Sequence, residues 1–305
     1  MSNEQWVWCI GGGAMQLPMI ECAKARGYRV LLTDGSQRAV GRQGCDEFIQ
    51  LSTYDLNGHT CLAGALERVV VACVASAIDV GHVAAAVADI LHLPSLGAEV
   101  ARVLGDKIRL QCALQQEYPV RYCGEPDMYA TELWYKWFSK CNYAGTRSLP
   151  CVIKATDNCA TRGVYKVDTL DEFADAVVGA YSYNKVSKRI LVEEYLDIES
   201  EYSSDWFVKA SGEVVQVNGA KRFFSPEHFG VEIMYLCPWR LPKKCVELAQ
   251  HLVDVIKVPC GPIKIDFALD KQHGWCIREA AGRWSGGFDH NFAFPLATGR
   301  DLVSV

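Results

Sequence analysis

Charged side chains stand at the ends of several apolar runs in the second half of this 305-residue chain. Lys154 ends the run 151–153, and Glu193 and Glu194 end the run 190–192. A lysine at the inner end of an apolar strand is costly to bury unless an anion meets it. The pattern therefore predicts that an anion meets Lys154, and the alternative is a strand-end lysine whose ammonium reaches solvent.

Two further carboxylates fall in one predicted hairpin. Asp266 lies in the first strand, Glu279 ends the second, and residues 270–274 form the turn between them. Residues opposite each other in a hairpin are close neighbours, and carboxylate oxygens are ligands that Mg²⁺ prefers. We therefore expect a magnesium site at this pair. Arg283 and Gly286-Gly287 follow at once, which places a cation and flexible backbone beside it.

The remaining candidates suit the handling of phosphate. The loop 155–163 is rich in small and hydroxyl residues, and Asp106-Lys107 opens a predicted helix. Transfer of a phosphoryl group from ATP to a carboxylate needs lysines for the phosphate charge, a covering loop and carboxylates for Mg²⁺. The chain offers each of these parts in one consistent order.

The elements that must position these residues differ between the two halves of the chain. The first hundred residues alternate strands and helices, which predicts a parallel sheet covered on both faces. From about Pro150 onward, hairpin turns and helices indicate an α+β region with mainly antiparallel strands. We place the joint between these regions at about residues 104–118.

A glycine-rich turn, Gly11-Gly12-Gly13, links the first strand to the first helix, and Asp34 closes the second strand. This resembles a dinucleotide fingerprint, except that Gln16 replaces the third glycine. Such a turn also needs glycine for backbone reasons alone. An NAD(P)-dependent oxidoreductase thus remains an alternative.

The ordered set of motifs resembles the ATP-grasp superfamily, in particular stand-alone members similar to half of a carbamoyl-phosphate synthase large chain. The resemblance covers nearly the whole chain. It rests on Asp106-Lys107, Pro150-Cys151-Val152-Ile153-Lys154, Thr161-Arg162-Gly163-Val164, Val192-Glu193-Glu194-Tyr195-Leu196, Glu201, Asp266-Phe267 and the series Glu279, Arg283, Gly286-Gly287.

This resemblance implies a fold and a domain division. It implies an α/β Rossmann-like pre-ATP-grasp domain at residues 1–105, followed by an α+β ATP-grasp domain at residues 106–305. The second domain would have a small lobe at about 118–195 and a large lobe at about 196–305.

The resemblance also implies roles for individual residues. Lys107 and Lys154 would bind the ATP phosphates, and Thr161, Arg162 and Gly163 would belong to the phosphate-covering loop. The adenine edge would meet the backbone of Glu193, Glu194, Tyr195 and Leu196, and the ribose would meet Glu201. Mg²⁺, or Mn²⁺ in its place, would lie at Asp266 and Glu279, and Arg283 would steady the transferring phosphoryl group.

The sequence departs from the family pattern at several positions. The usual metal ligand Asn is replaced by Ala281, the proline after the loop lysine by Ala155, and the glycine before Glu201 by Ile198. The chain also ends at Val305, where many relatives continue, so part of the acceptor site is expected either to be missing or to be supplied by a partner subunit or a second copy. An ATP-binding protein with an incomplete catalytic site is therefore the main alternative.

The leading prediction is an ATP- and Mg²⁺-dependent ligase that phosphorylates a small carboxylate and joins it to an amine, or alternatively to a thiol, with release of ADP and phosphate. Bicarbonate ranks lower as the acid. Substitution of Lys154 or Glu279 is expected to cut turnover without unfolding the protein.

Composition narrows the classes of partner and compartment. The net charge is −5, and no basic block suggests nucleic acid. No apolar run approaches the roughly 18 residues of a membrane span, and the N-terminus lacks a signal sequence. The 14 cysteines are scattered, which favours reduced thiols and a cytoplasmic location.

His228, His290 and the pair Trp134 and Trp137 are interpreted as structural residues.

Overall fold

A computed structural model describes residues 4–114, 120–124, 149–158, 161–185, 187 and 189–301. Thirteen strands in this part of the chain form three sheets. Trp134 and Trp137 lie outside the described residues. No helix of the described residues is long and apolar enough to cross a membrane.

The N-terminal sheet has four parallel strands in the order β3-β2-β1-β4. Side chains of β1 alternate between its two faces, because successive residues of a strand point to opposite sides. Trp8 and Ile10 pack with helices on one face, whereas Val7 and Cys9 pack with the first helix on the other. The predicted parallel sheet covered on both faces is therefore confirmed. The strands are β1 (Gln5–Ile10), β2 (Arg29–Asp34), β3 (Glu47–Gln50) and β4 (Val69–Val74).

Five helices belong to this half of the chain or lead out of it. Leu104 and Leu110, from the last two, pack in the same hydrophobic core as Trp206 and Phe267 of the later, larger sheet. The structure thus joins the two halves through a shared core at this point. The helices are α1 (Leu17–Ala25), α2 (Leu56–Ala65), α3 (Gly81–Ile90), α4 (Ala98–Gly105) and α5 (Lys107–Leu114).

A small four-stranded sheet follows, in the order β5-β8-β6-β7. Its pairs are antiparallel, as the sequence predicted for the hairpin of β6 and β7. One helix covers it, with Phe173 and Val177 packed on Ile153 and Val192. The elements are β5 (Val120–Gly124), β6 (Cys151–Ala155), β7 (Val164–Val167), α6 (Asp171–Ser182) and β8 (Ile190–Glu194).

The largest sheet has five antiparallel strands in the order β11-β10-β9-β12-β13. Strict alternation in β12 divides its side chains between the two faces. Ile263, Ile265 and Phe267 enter the core under α7, and Lys264 and Asp266 take the other face. The elements are β9 (Ile198–Val208), β10 (Val214–Phe224), β11 (Glu232–Leu236), α7 (Lys243–Ile256), β12 (Gly261–Asp270), β13 (Gly274–Ala281) and α8 (Phe294–Thr298).

The polar face of the large sheet follows directly from strand register. Ser203, Asp266 and Glu279 stand opposite one another in one row, and Asp205, Lys264 and Ala281 form the next row. Residues directly opposite in antiparallel strands point to the same side. The register therefore gathers charged residues from three strands on one surface.

Candidate functional site

A cleft of about 1550 Å³ lies over this polar face. The small sheet, the large sheet and the segment after β4 all contribute to its walls. Every predicted site residue except Gly163 and Glu193 lines it: Lys107, Lys154, Thr161, Arg162, Glu194, Tyr195, Leu196, Glu201, Asp266, Glu279 and Arg283. The structure thus collects residues that lie up to 176 positions apart, from Lys107 to Arg283, around one space.

The two residues Lys154 and Glu193 form a buried ion pair. Their side chains are 7% and 5% exposed, on the neighbouring strands β6 and β8. Burial lowers the pKa of the Lys154 ammonium, and Glu193 opposes this shift. For Glu193, burial opposes ionisation, but Lys154 and Arg278 outweigh it and lower the pKa of the carboxyl. Lys154 is therefore held by Glu193 at the edge of the cleft, and the Glu193 side chain lies behind it.

Lys107 brings a second ammonium to the same place. It donates to the carbonyl of Asn158 over 2.7 Å and contacts Oε1 of Glu279 at 3.0 Å. Burial raises the pKa of the Glu279 carboxyl, but the charges of Lys107 and Lys264 outweigh this effect and lower it overall. Lys107 thus connects the loop after β6 to the carboxylates of the large sheet.

Asp266 stands directly opposite Glu279 in the β12–β13 pair, as the hairpin pattern predicted. Its Oδ2 accepts from Lys264 Nζ at 2.5 Å and from Arg222 Nη1 at 3.3 Å. Its Oδ1 is buried without a hydrogen-bond partner among the described residues. A buried carboxylate oxygen left unpaired costs free energy, so this atom is available to a cation.

The donor set fits Mg²⁺ bound together with a nucleotide. Mg²⁺ usually takes one or two carboxylates and completes its shell with water and substrate phosphates. Among the described residues, no group of three or more His, Cys, Asp or Glu side chains is placed to hold a metal ion. Asp266 and Glu279 therefore suit a metal that ATP brings with it. Ala281 stands opposite Lys264, so an ammonium lies beside the position of the missing ligand.

The loop after Lys154 turns sharply back into β7. The amide of Ala155 donates to the carbonyl of Gly163 over 2.8 Å. Gly163 has φ +73°, and a Cβ there would lie 2.6 Å from Cβ of Tyr183. Glycine is therefore required for both backbone and steric reasons. Thr161 and Arg162 are exposed and line the cleft.

The strand end after β8 lies at the far side of the cleft. Tyr195 is 37% exposed, whereas Leu196 is buried against Ala268 and Cys276. Lys166 Nζ sits 4.8 Å from the centre of the Tyr195 ring. Glu201 lies in the next strand, β9, with its carboxylate 3.9 Å from Arg222.

Arg283 contacts the N-terminal half of the chain. Its Nε donates to Oδ1 of Asp79 over 2.8 Å, and its Nη1 donates to the carbonyl of Trp284. The fully buried His290 extends this junction, since its Nε2 lies 2.9 Å from Oγ of Ser76. Burial lowers the pKa of the His290 imidazole. The interpretation of His290 as a structural residue agrees with these contacts.

Sequence reasoning missed five cations that line the cleft: Lys166, Lys221, Arg222, Lys264 and Arg278. Arg222 pairs with Glu232 at 2.7 Å as well as with Asp266. Arg278 falls where the β12–β13 register shifts, which lets it and Glu279 both reach the cleft. The alternation of β12 placed Lys264 beside Asp266, and this signal was readable from the sequence. The bulge was not.

The glycine-rich turn is occupied by the protein's own groups. The amide of Gly12 donates to Oδ2 of Asp34 over 2.8 Å, and its carbonyl accepts from Gly41. A Cβ on Gly12 would lie 3.0 Å from a methyl group of Leu32. Asp34 therefore closes the turn instead of standing free for a ribose, which argues against dinucleotide binding.

Comparison with known proteins agrees with this architecture. Residues 147–290 match a family model described as an ATP-grasp domain. The whole chain superposes on 73% of an L-amino acid ligase from Bacillus licheniformis, with a TM-score of 0.75 and 17% identity. A search of curated proteins found no match.

Two other solved structures are similar. The ADP complex of an N5-carboxyaminoimidazole ribonucleotide synthetase has a TM-score of 0.70 at 18% identity, with 95% of this chain and 74% of that one covered. A biotin carboxylase from Campylobacter jejuni, determined with an ATP analogue, has a TM-score of 0.69 at 14% identity, with 98% and 69% covered. At such identities the likeness shows the fold.

Residues 147–290 thus match an ATP-grasp domain, and the chain as a whole shares the fold of these solved structures.

Proposed function

We propose that this protein is an ATP-dependent ligase that forms a carbon–nitrogen bond through an acyl-phosphate. The observation that carries the proposal is the single cleft in which Lys107 and Lys154 face Asp266 and Glu279. The similar structures include an L-amino acid ligase and an N5-carboxyaminoimidazole ribonucleotide synthetase, which support this class of reaction.

ATP lies between the small and the large sheet in this proposal. Lys107 and Lys154 neutralise its phosphates, and Thr161 and Arg162 cover them. The backbone of residues 194–196 meets the adenine, and Glu201 takes the ribose hydroxyls. The ADP complex of one similar structure supports a nucleotide in this cleft. Closing the cleft excludes water, which protects a reactive acyl-phosphate from hydrolysis.

Asp266 and Glu279 hold Mg²⁺ in this assignment, and Mn²⁺ has the same oxygen preference. The ion neutralises phosphate charge during transfer. Lys264, 2.5 Å from Asp266, adds a fixed positive charge beside the carboxylates where Ala281 provides no ligand. Arg283 steadies the transferring phosphoryl group while Asp79 fixes its guanidinium.

The domain division is part of the proposal. Residues 1–105 form a Rossmann-like domain, which the parallel order β3-β2-β1-β4 supports, and residues 106–305 form the two lobes. Small carboxylates and amines enter beside the segment after β4, where Ala77 and Asp79 line the cleft.

The test is a trapping assay. The protein is incubated with MgATP, hydroxylamine and pooled carboxylic acids, and phosphate and hydroxamate are measured. Acid-dependent hydroxamate establishes the acyl-phosphate, and splitting the pool identifies the acid. Lys107→Ala should abolish both products while Lys209→Ala, an exposed lysine paired with Glu213, should not. Nucleotide binding with no product across the pool would refute the ligase assignment.

A further inference from the structure

A second group of acids lies beside the phosphoryl-transfer carboxylates. Asp205 is fully buried in the row next to Asp266. Its oxygens accept from the amide and the hydroxyl of Ser285, both over 2.6 Å, and from the amide group of Asn218. Asp205 is therefore satisfied, and it anchors the segment that follows Arg283.

Asp289 in that segment is not satisfied in the same way. It is 5% exposed and lines the cleft. Its Oδ2 accepts from Ser285 Oγ over 3.4 Å, whereas its Oδ1 is buried without a hydrogen-bond partner among the described residues. Buried carboxylate oxygens are normally paired, so an unpaired one at a cleft wall points to a ligand that donates to it.

The charges around Asp289 favour a cationic ligand. Burial and the neighbouring charge of Asp205 raise the pKa of its carboxyl to about 6, although hydrogen bonds from Asn218, Ser285 and Cys237 oppose this rise. Tyr235 and Cys237 also face it, and burial raises the pKa of each to about 12, so both are neutral at pH 7. No lysine or arginine of the described residues forms an ion pair with Asp289.

Space is available beside the glycines that precede this carboxylate. A Cβ built on Gly286 or Gly287 meets no atom within 4 Å, and both residues line the cleft with Arg283 and Asp289. Asp289 thus lines the same cleft as the arginine assigned to the transferring phosphoryl group, six residues after it in the chain. A metal ion is a poorer fit here, since the oxygens of Asp205 are already engaged.

We propose that Asp289 binds the ammonium form of a primary amine substrate through Oδ1 and accepts one of its protons. This inference rests on the proposed ligase function. The free amine then attacks the acyl carbon, and the new C–N bond forms as the C–O bond to phosphate breaks. The electron pair leaves with the phosphate, which takes the second amine proton, and Asp289 returns its own proton to solvent. A carboxyl poised near neutral pH suits this role.

The experiment measures how the acyl-phosphate partitions between two nucleophiles. Wild type, Asp289→Asn and the control Asp175→Asn, exposed on α6, are given MgATP, the pooled acids, hydroxylamine and an equimolar pool of amino acids. Asn retains the shape of Asp289 and mimics its protonated form. We expect the amide-to-hydroxamate ratio to fall by about 100-fold in Asp289→Asn, the lower range of what a positioned base contributes. The sum of amide and hydroxamate should stay within about twofold of wild type, because this sum reports formation of the acyl-phosphate, the earlier step.

The wild-type enzyme provides a second measurement that does not depend on a variant. The fraction of acyl-phosphate that becomes amide instead of hydroxamate should rise as the pH increases through about 6, the pKa of Asp289. This rise should be absent in Asp289→Asn. An unchanged ratio, or loss of hydroxamate together with amide in a folded variant, overturns the assignment of Asp289. Absence of hydroxamate in the wild type refutes the ligase function itself.

Discussion

Replacement of Lys154 tests the buried pair and the phosphate site together. In Lys154→Ala, the Glu193 carboxylate stays buried without its partner, and breaking such a pair costs about 3–5 kcal/mol. Arg278 and Lys107 also lower the pKa of Glu193, so part of its charge remains compensated. We therefore place the loss at about 3 kcal/mol, the lower end of that range.

At about 2–4 °C per kcal/mol for a chain of this size class, this loss corresponds to a fall in Tm of about 6–12 °C. The double variant Lys154→Met/Glu193→Leu replaces both charges with apolar groups of similar size. Such replacements are often neutral or stabilising, so its Tm should stay near that of wild type. The sequence analysis expected that substitution of Lys154 alone would spare the fold. The buried pair instead predicts that Glu193 must be replaced as well if the variant is to keep the stability of wild type.

Both measurements use purified protein. Differential scanning fluorimetry gives Tm, and equilibrium dialysis gives the affinity for ADP. The double variant should be folded but should bind ADP weakly, because the phosphates lose an ammonium. Lys271→Ala is the control, since Lys271 and Asp197 are 56% and 60% exposed and such exposed pairs contribute little to stability. A single variant that melts like wild type would refute the buried-pair argument, and a double variant with wild-type ADP affinity would refute the phosphate role.

Three further predictions concern other parts of the cleft. Gly163→Ala should lower Tm more than Gly212→Ala, because both have positive φ but only the Cβ at 163 meets Tyr183; equal losses would contradict the steric argument. In the folded protein the pKa of Asp289 is raised from 3.8 to about 6, so its stabilising contribution is lost as pH rises through this range. Asp289→Asn should match the wild-type Tm at pH 4 and exceed it at pH 7.5, by up to about 3 kcal/mol of stability; a pH-independent difference would show that its charge is not destabilising. Glu279→Gln should raise the Mg²⁺ concentration for half-maximal phosphate release by at least about tenfold, since even outer-shell partners contribute that much; an unchanged Mg²⁺ dependence would place the metal elsewhere.

Much of the fold was determined by local sequence patterns. The apolar run of β1 and the stop at its glycine turn predicted a buried parallel strand, and helix α7 begins and ends at the predicted residues 243 and 256. Helix α2 and strand β11 were not predicted. The β11 segment, Glu232–Leu236, is largely exposed, so no alternation marks it, and it is a strand because it pairs with β10.

The candidate site likewise depends partly on local sequence patterns and partly on contacts between distant parts of the chain. The sequence by itself determined that Asp266 faces away from the core, because alternation along a strand is a local property. The bulge at Arg278 decided that Glu279 stands opposite Asp266, since regular pairing from the turn would place Arg278 there. The sequence did not determine that Glu193 neutralises Lys154, that Asp79 holds Arg283, or that Asp34 closes the glycine turn. Those contacts join residues that are far apart in the chain. Only the packing of three sheets decides which charges meet, and hence that Asp266 and Asp289 in the cleft wall are each left with an unpaired oxygen among the described residues.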